Sequence, residues 1–179
     1  MHNRKIILAS ILAAVIYGIV HDLITAHLCV EYFTIGHPRL IDSGSPVKLA
    51  LFWGVAATWW VGLIIGIALA CAARRGSRPK LRIRHLWRPL TILLAWMFVV
   101  AILAGLTGYL TGKTGLFYLA EPFATRISPE KHLAFLTVAW AHAGSYLAGF
   151  VGGIVLCIRT WKRRAKVKIQ IIAAQAVTP

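Results

Sequence analysis

HDLITAHLCVEYFTIGHP, residues 21–38, is the stretch on which the reading of this chain turns. An apolar run begins upstream at Ile6, so these residues form the far end of a helix long enough to cross a bilayer. Three of the chain's seven histidines, His21, His27 and His37, and two of its five acids, Asp22 and Glu31, are concentrated here. Ionisable groups at membrane depth are expensive, and a functional role is the default expectation for them.

Outward from this stretch, the apolar residues fall into four blocks: Ile6 to about Val30, Val47 to Ala73, Leu90 to about Leu110, and Leu133 to Ile158. Each reaches the ~20 residues that a helix needs to cross a ~30 Å hydrocarbon core. With 59% hydrophobic and 14% charged residues over 179 positions, the composition is not that of a soluble domain. The expected fold class is an all-α integral membrane protein, with four transmembrane helices in an up-down bundle. The spans are expected at about 6–32, 46–73, 89–111 and 129–160, in a single domain over residues 1–179 that ends in a basic cytoplasmic tail, 161–179. In such a bundle the first and fourth helices are neighbours.

The net charge of +15 is distributed unevenly. Fifteen of the twenty Lys and Arg residues lie at the N-terminus, in the loop from Arg74 to Arg88 and in the tail, whereas all five acids, Asp22, Glu31, Asp42, Glu121 and Glu130, lie in the other half. The positive-inside rule therefore puts both termini in the cytoplasm. The basic clusters match topology and attraction to anionic lipid, not nucleic-acid binding. MHNRK and the apolar run after it read as an uncleaved anchor, because no small-x-small cleavage site follows. Three cysteines cannot all pair, and the topology puts Cys29 near the outer surface and Cys71 and Cys157 near the inner one, so no structural disulfide is expected. Cys29 is the cysteine expected to meet an external thiol probe.

Small residues recur at spacing four in every span: Ser10, Ala14 and Gly18 before Asp22; Gly54, Thr58, Gly62, Gly66 and Ala70; Ala104, Gly108 and Gly112; and Thr137, Ala141, Ser145, Gly149 and Gly153. Such rows let helix backbones approach closely, within the chain, in a homo-oligomer or with a membrane partner. Ser45-Pro46 and Ser128-Pro129 read as N-cap and first-turn proline pairs opening the second and fourth spans. GLTGYLTGKTG, near the end of the third span, lacks the first glycine of a P-loop and any preceding strand.

On a helical wheel, His21, Thr25, Cys29 and Tyr32 share an arc with Asp22, and His27 with Glu31 falls on roughly the opposite side. Counting from the basic anchors Lys5 and Arg159, His21 and His142 both lie ~24 to 26 Å from the basic surface. The same level holds Asp22, Thr25, Thr58, Trp59, Thr107 and Ser145. The leading reading is a transition-metal or haem site between the first and fourth helices, with redox chemistry as its expected use. His21, Asp22, His142 and Glu31 are its candidate ligands, and Thr25, His27, Cys29, Tyr32, His37, Thr58, Thr107, His132, Ser145 and Tyr146 are supporting polar groups. Adjacent residues such as His21 and Asp22 point ~100° apart, which argues against a shared ion. No HxxxH, ExxH or CxxC spacing is present. The alternatives are a non-catalytic, partner-binding membrane subunit held in register by polar contacts, and a proton or ion relay reaching the surface through His27 and Glu31. Ser145 and His142 share a helix face but lie outside any G-x-S-x-G elbow, which disfavours a hydrolase.

GIVHDLITAHLCVEYFTIGHP, with WGVAATWWVG in the second span and AHAGSYLAGFVGGIVLC in the fourth, resembles a family of small, uncharacterised four-span bacterial inner-membrane proteins. The likeness runs from about Tyr17 to the basic tail. It falls on His21, Asp22, Thr25, Cys29, Glu31, Tyr32, His37, His142 and Tyr146. It implies the four-span fold and the bacterial inner membrane, and it implies no activity.

Overall fold

The computed structural model describes residues 2–177, with side chains to Lys168. Its regular elements, among the described residues, are all helical: α1 (His2–Leu28), α2 (Glu31–Thr34), α3 (Pro46–Ala56), α4 (Trp59–Arg74), α5 (Trp87–Lys113), α6 (Phe123–Arg126) and α7 (His132–Val177), with 3₁₀ turns at Ile83–His85 and Pro129–Lys131. Four stretches are long and apolar enough to cross a membrane: His2–Leu28, Pro46–Arg74, Trp87–Lys113 and Pro129–Lys168.

Sequence chemistry accounts for the helix ends. Ser45 adopts extended backbone and its hydroxyl accepts from the Lys48 N–H, while Pro46 occupies the first turn of α3. The similar Ser128-Pro129 pair makes no such side-chain cap and instead opens the 3₁₀ turn that leads into α7. The first helix stops at Leu28, earlier than its apolar pattern predicts; Cys29 and Val30 leave the helix before the single turn of α2.

The second span is interrupted at Ala57-Thr58. The Thr58 hydroxyl donates to the Gly54 carbonyl, the acceptor its own backbone N–H would use in a straight helix, and that N–H turns to Val55 O at 3.2 Å. A threonine that competes with the backbone in this way bends a helix. The break lies where the first span comes closest: a Cβ on Gly18 would stand 2.6 Å from the Gly54 carbonyl oxygen. Further along, Gly62 packs on Ile11 and Gly66 on Ile7, which defines an antiparallel pair. In the other hairpin, Gly144 packs on Ala104 and Gly108 on Trp140, so α5 and α7 are also antiparallel.

The two hairpins join through α4 against α7. The first and fourth spans, expected as close neighbours, instead meet through long side chains with little backbone approach. Apolar clusters lie above and below that meeting point. Ile6, Leu69, Leu86, Leu90 and Leu156 pack at the end carrying the termini. Phe33, Leu49 and Trp53, together with Cys29, Phe135 and Val138, pack at the other.

Residues 161–168 continue α7 and are fastened to the loop after α4. Arg164, fully buried, donates to the carbonyls of Ala72 (2.7 Å), Arg75 (3.0 Å), Arg78 (2.9 Å) and Pro79 (2.7 Å). One guanidinium thus satisfies carbonyls at the C-terminal end of α4 and in the loop beyond it. Residues 178 and 179, and side chains beyond Lys168, lie outside the described residues.

Candidate metal centre

Between the two apolar clusters, α1 and α7 bring together His21, Asp22 and His142. They are 6%, 5% and 3% exposed, and one ligand atom from each lies within 4.8 Å of the others. His142 Nε2 is 3.9 Å from Asp22 Oδ1, and the His21 and His142 rings meet edge to face with centroids 4.5 Å apart. Although His21 and Asp22 are adjacent and diverge around the helix, the imidazole of His142 enters from α7 and reaches both. The angular objection raised by the sequence is therefore met by a partner lying between the two side chains.

The hydrogen bonds around this group leave nitrogens over. The Thr25 hydroxyl donates to His21 O at 3.1 Å, the usual bond back to the preceding turn. Thr25 Oγ1 is also 3.1 Å from His142 Nε2. A hydroxyl has one proton, so with that proton on the carbonyl it is the imidazole N–H that donates to Oγ1. His142 Nδ1 and His21 Nε2 are then buried without a hydrogen-bond partner. An unpaired buried polar group costs about 1–3 kcal/mol, and here two belong to the same buried three-residue group.

Aromatic side chains enclose the group. Tyr17 stacks on His21 at 5.8 Å, and its hydroxyl lies 2.7 Å from Ser145 Oγ. Tyr32 covers His142 at 4.5 Å, Phe33 approaches its ring at 5.7 Å, and Tyr146 lies 6.0 Å away. Tyr17 was absent from the sequence-derived site. The signal for it was present: it lies four residues before His21, one turn back on the same face.

The remaining candidates are placed elsewhere. Glu31 opens α2 and its Oε2 accepts from the Cys29 thiol at 3.3 Å, outside the three-residue group. His27 is exposed, with Nδ1 2.6 Å from Leu23 O, so it does not extend the cluster toward the surface. His37 stacks on Phe33 and donates from Nδ1 to Tyr32 O at 2.9 Å. It adjoins the site through Tyr32, whose ring is 5.0 Å from that of His37. Thr58 is spent on the helix break, and Thr107 is exposed and donates to Leu103 O at 2.9 Å. Trp59 is likewise exposed. His132 donates from Nε2 to Ile127 O at 2.8 Å, at the entry to α7. Equal depth does not imply a shared face, and depth was the quantity that grouped Thr58, Trp59 and Thr107 with the histidines.

Cys29 is 1% exposed, so the cysteine expected to be reached from outside is sealed under Phe135 and Val138. Cys71 is the exposed one.

No protein-family model matches the chain, and neither does any curated protein or solved structure.

Proposed function

We propose that this chain is a multi-pass protein of the bacterial inner membrane, with both termini in the cytoplasm, which binds one transition-metal ion through His21, Asp22 and His142. The observation that carries the reading is the pair of buried, unpartnered imidazole nitrogens beside a buried carboxylate. Neutral imidazole and carboxylate donors suit zinc and ferrous iron, and a set of three leaves coordination positions open for water or substrate. Ligands ~2.0–2.1 Å from a tetrahedral ion stand roughly 3.3 Å apart. The observed spread of up to 4.8 Å exceeds this by roughly 1.5 Å, so binding would draw the three side chains together.

Haem fits less well. Two axial imidazoles with nitrogens ~2 Å from the iron would hold their ring centres about 6 Å apart, with the macrocycle between them. The rings of His21 and His142 are 4.5 Å apart and in edge contact.

Membrane embedding is supported by the outer face of α1, where Leu8, Leu12, Ile16, Val20, Ile24 and Leu28 form an exposed apolar row opposite Gly18 and Asp22. The orientation rests on the asymmetry of Lys and Arg. The bacterial assignment and membership of a four-span family rest on the resemblance of the segments around His21 and His142. The small-residue rows are filled by the chain's own helices, so a partner helix would need another surface.

The test is the metal content per chain of protein purified in detergent without chelators, compared with His21→Ala/His142→Ala. Near-stoichiometric metal in the parent protein and its loss in a folded double variant are expected. Folded parent protein that takes up no zinc or iron on titration would overturn the reading.

A further inference from the structure

A concavity remote from His21 and His142 lies between α5 and α7 at the end of the bundle carrying the termini. It encloses about 750 Å³, within the range of small-ligand sites, ~300–1,000 Å³. Leu93 and Leu156 form a buried floor, Trp96 and Val151 are exposed walls, and His85, Arg159 and Arg163 stand at one end. The trough is thus apolar along its length and basic at its mouth.

Two dimensions identify what would fill it. Along α7 the apolar lining runs from Leu147 to Leu156, ~13 Å at 1.5 Å per residue, close to the ~15 Å hydrocarbon depth of one leaflet. Arg159 and Arg163 follow on the next two turns, where lipid headgroups lie. Among the described residues their charges lack a counterpart: neither guanidinium meets a carboxylate within 4.0 Å, and the five acids, Asp22, Glu31, Asp42, Glu121 and Glu130, belong to the far half of the spans and to the loops beyond them. The Arg163 guanidinium donates to the His85 carbonyl at 3.5 Å, which holds it over the mouth without neutralising it.

We propose that this trough is a binding site for one anionic phospholipid, an acyl chain lying along Leu93, Val151 and Leu156 and the phosphate meeting Arg159 and Arg163. It depends on the membrane location proposed above and is independent of the metal. Guanidinium donors suit phosphate oxygens, and their attraction adds to the burial of the chain.

The test is native mass spectrometry of the full chain in detergent, titrated with phosphatidylglycerol and, in competition, phosphatidylcholine of identical chains. One tightly held phosphatidylglycerol, preferred over phosphatidylcholine, is expected. Arg159→Gln/Arg163→Gln should weaken it ~10- to 30-fold, whereas Lys162→Gln/Lys166→Gln, with the same charge change away from the trough, should leave it within about threefold. Equal binding of the two lipids by the unaltered chain, equal losses in both variants, or displacement of the lipid by glycerol phosphate would each overturn the proposal. The comparison in the unaltered protein decides the matter even where a variant fails to fold.

Discussion

The phenol of Tyr17 and the hydroxyl of Ser145 lie 2.7 Å apart, joining α1 to α7 within one turn of the histidine each helix contributes. The two helices have little backbone contact, so their alignment at this level rests on such side-chain bridges. Tyr17→Phe keeps the ring stacked on His21 and removes only the bridge. Its expected cost is ~0.6–1.7 kcal/mol of stability, read as a lowered Tm in detergent, with metal affinity down by less than ~10-fold. Ser145→Ala should do the same, and the double variant should cost little more than either alone, because both remove one bond. Fully additive losses would show that the two hydroxyls act separately.

Asp22 separates metal binding from helix packing. Asp22→Asn preserves shape and replaces a charged donor by a neutral amide, so the bundle should stay folded while zinc affinity falls by at least ~100-fold. Thr25→Val releases His142 from its hydroxyl partner and should change zinc affinity far less. Competition with a chromophoric chelator gives both numbers. Unchanged affinity in Asp22→Asn would remove the carboxylate from the proposed ligand set.

How much of this was legible in the sequence depended on which physical quantity the sequence encodes. Hydrophobic blocks and glycine spacing report length and close packing, and the four long helices and the packing of Gly18, Gly54, Gly62 and Gly66 in the first hairpin follow from them, whereas Gly144, which packs on Ala104, lies outside the small-residue row read in the fourth span. The central trio was also accessible, because His21 and His142 share a depth that residue counting measures. Azimuth was not accessible. Thr107 has the right depth and faces outward, and Glu31 was projected along a helix that ends at Leu28. Arg164 was hidden for a different reason: among Lys162, Arg163 and Lys166 nothing distinguishes a guanidinium that will meet four carbonyls from one that will meet water.

Cysteine labelling distinguishes the observed packing from the expected exposure. Cys29 is sealed beneath Phe135 and Val138, whereas Cys71 is open on the surface of α4. In native detergent-solubilised protein a small maleimide should modify Cys71 first, and Cys29 at least ~10-fold more slowly, in proportion to a rare local opening. All three thiols should react at similar rates in denaturant. Rapid modification of Cys29 in the folded protein would show that the cap over the metal centre is open.

Arg164 should be the most sensitive basic residue in the chain. Arg164→Ala leaves the carbonyls of Ala72, Arg75, Arg78 and Pro79 without their donor in a packed site. The expected loss is at least ~3 kcal/mol. Arg164→Lys should recover only part of it, since an ammonium is a compact point donor that cannot span carbonyls arrayed around a planar fork. Lys162→Gln, an exposed change of equal charge on the same helix, should fall within about 0.5 kcal/mol of the parent protein. Arg164→Ala should also free the Arg74–Arg88 loop, raising amide exchange at Leu81, whose N–H bonds Ala73 O at 3.0 Å in the folded state. Equal Tm values for Arg164→Ala and Lys162→Gln would mean that the loop holds its place without the guanidinium.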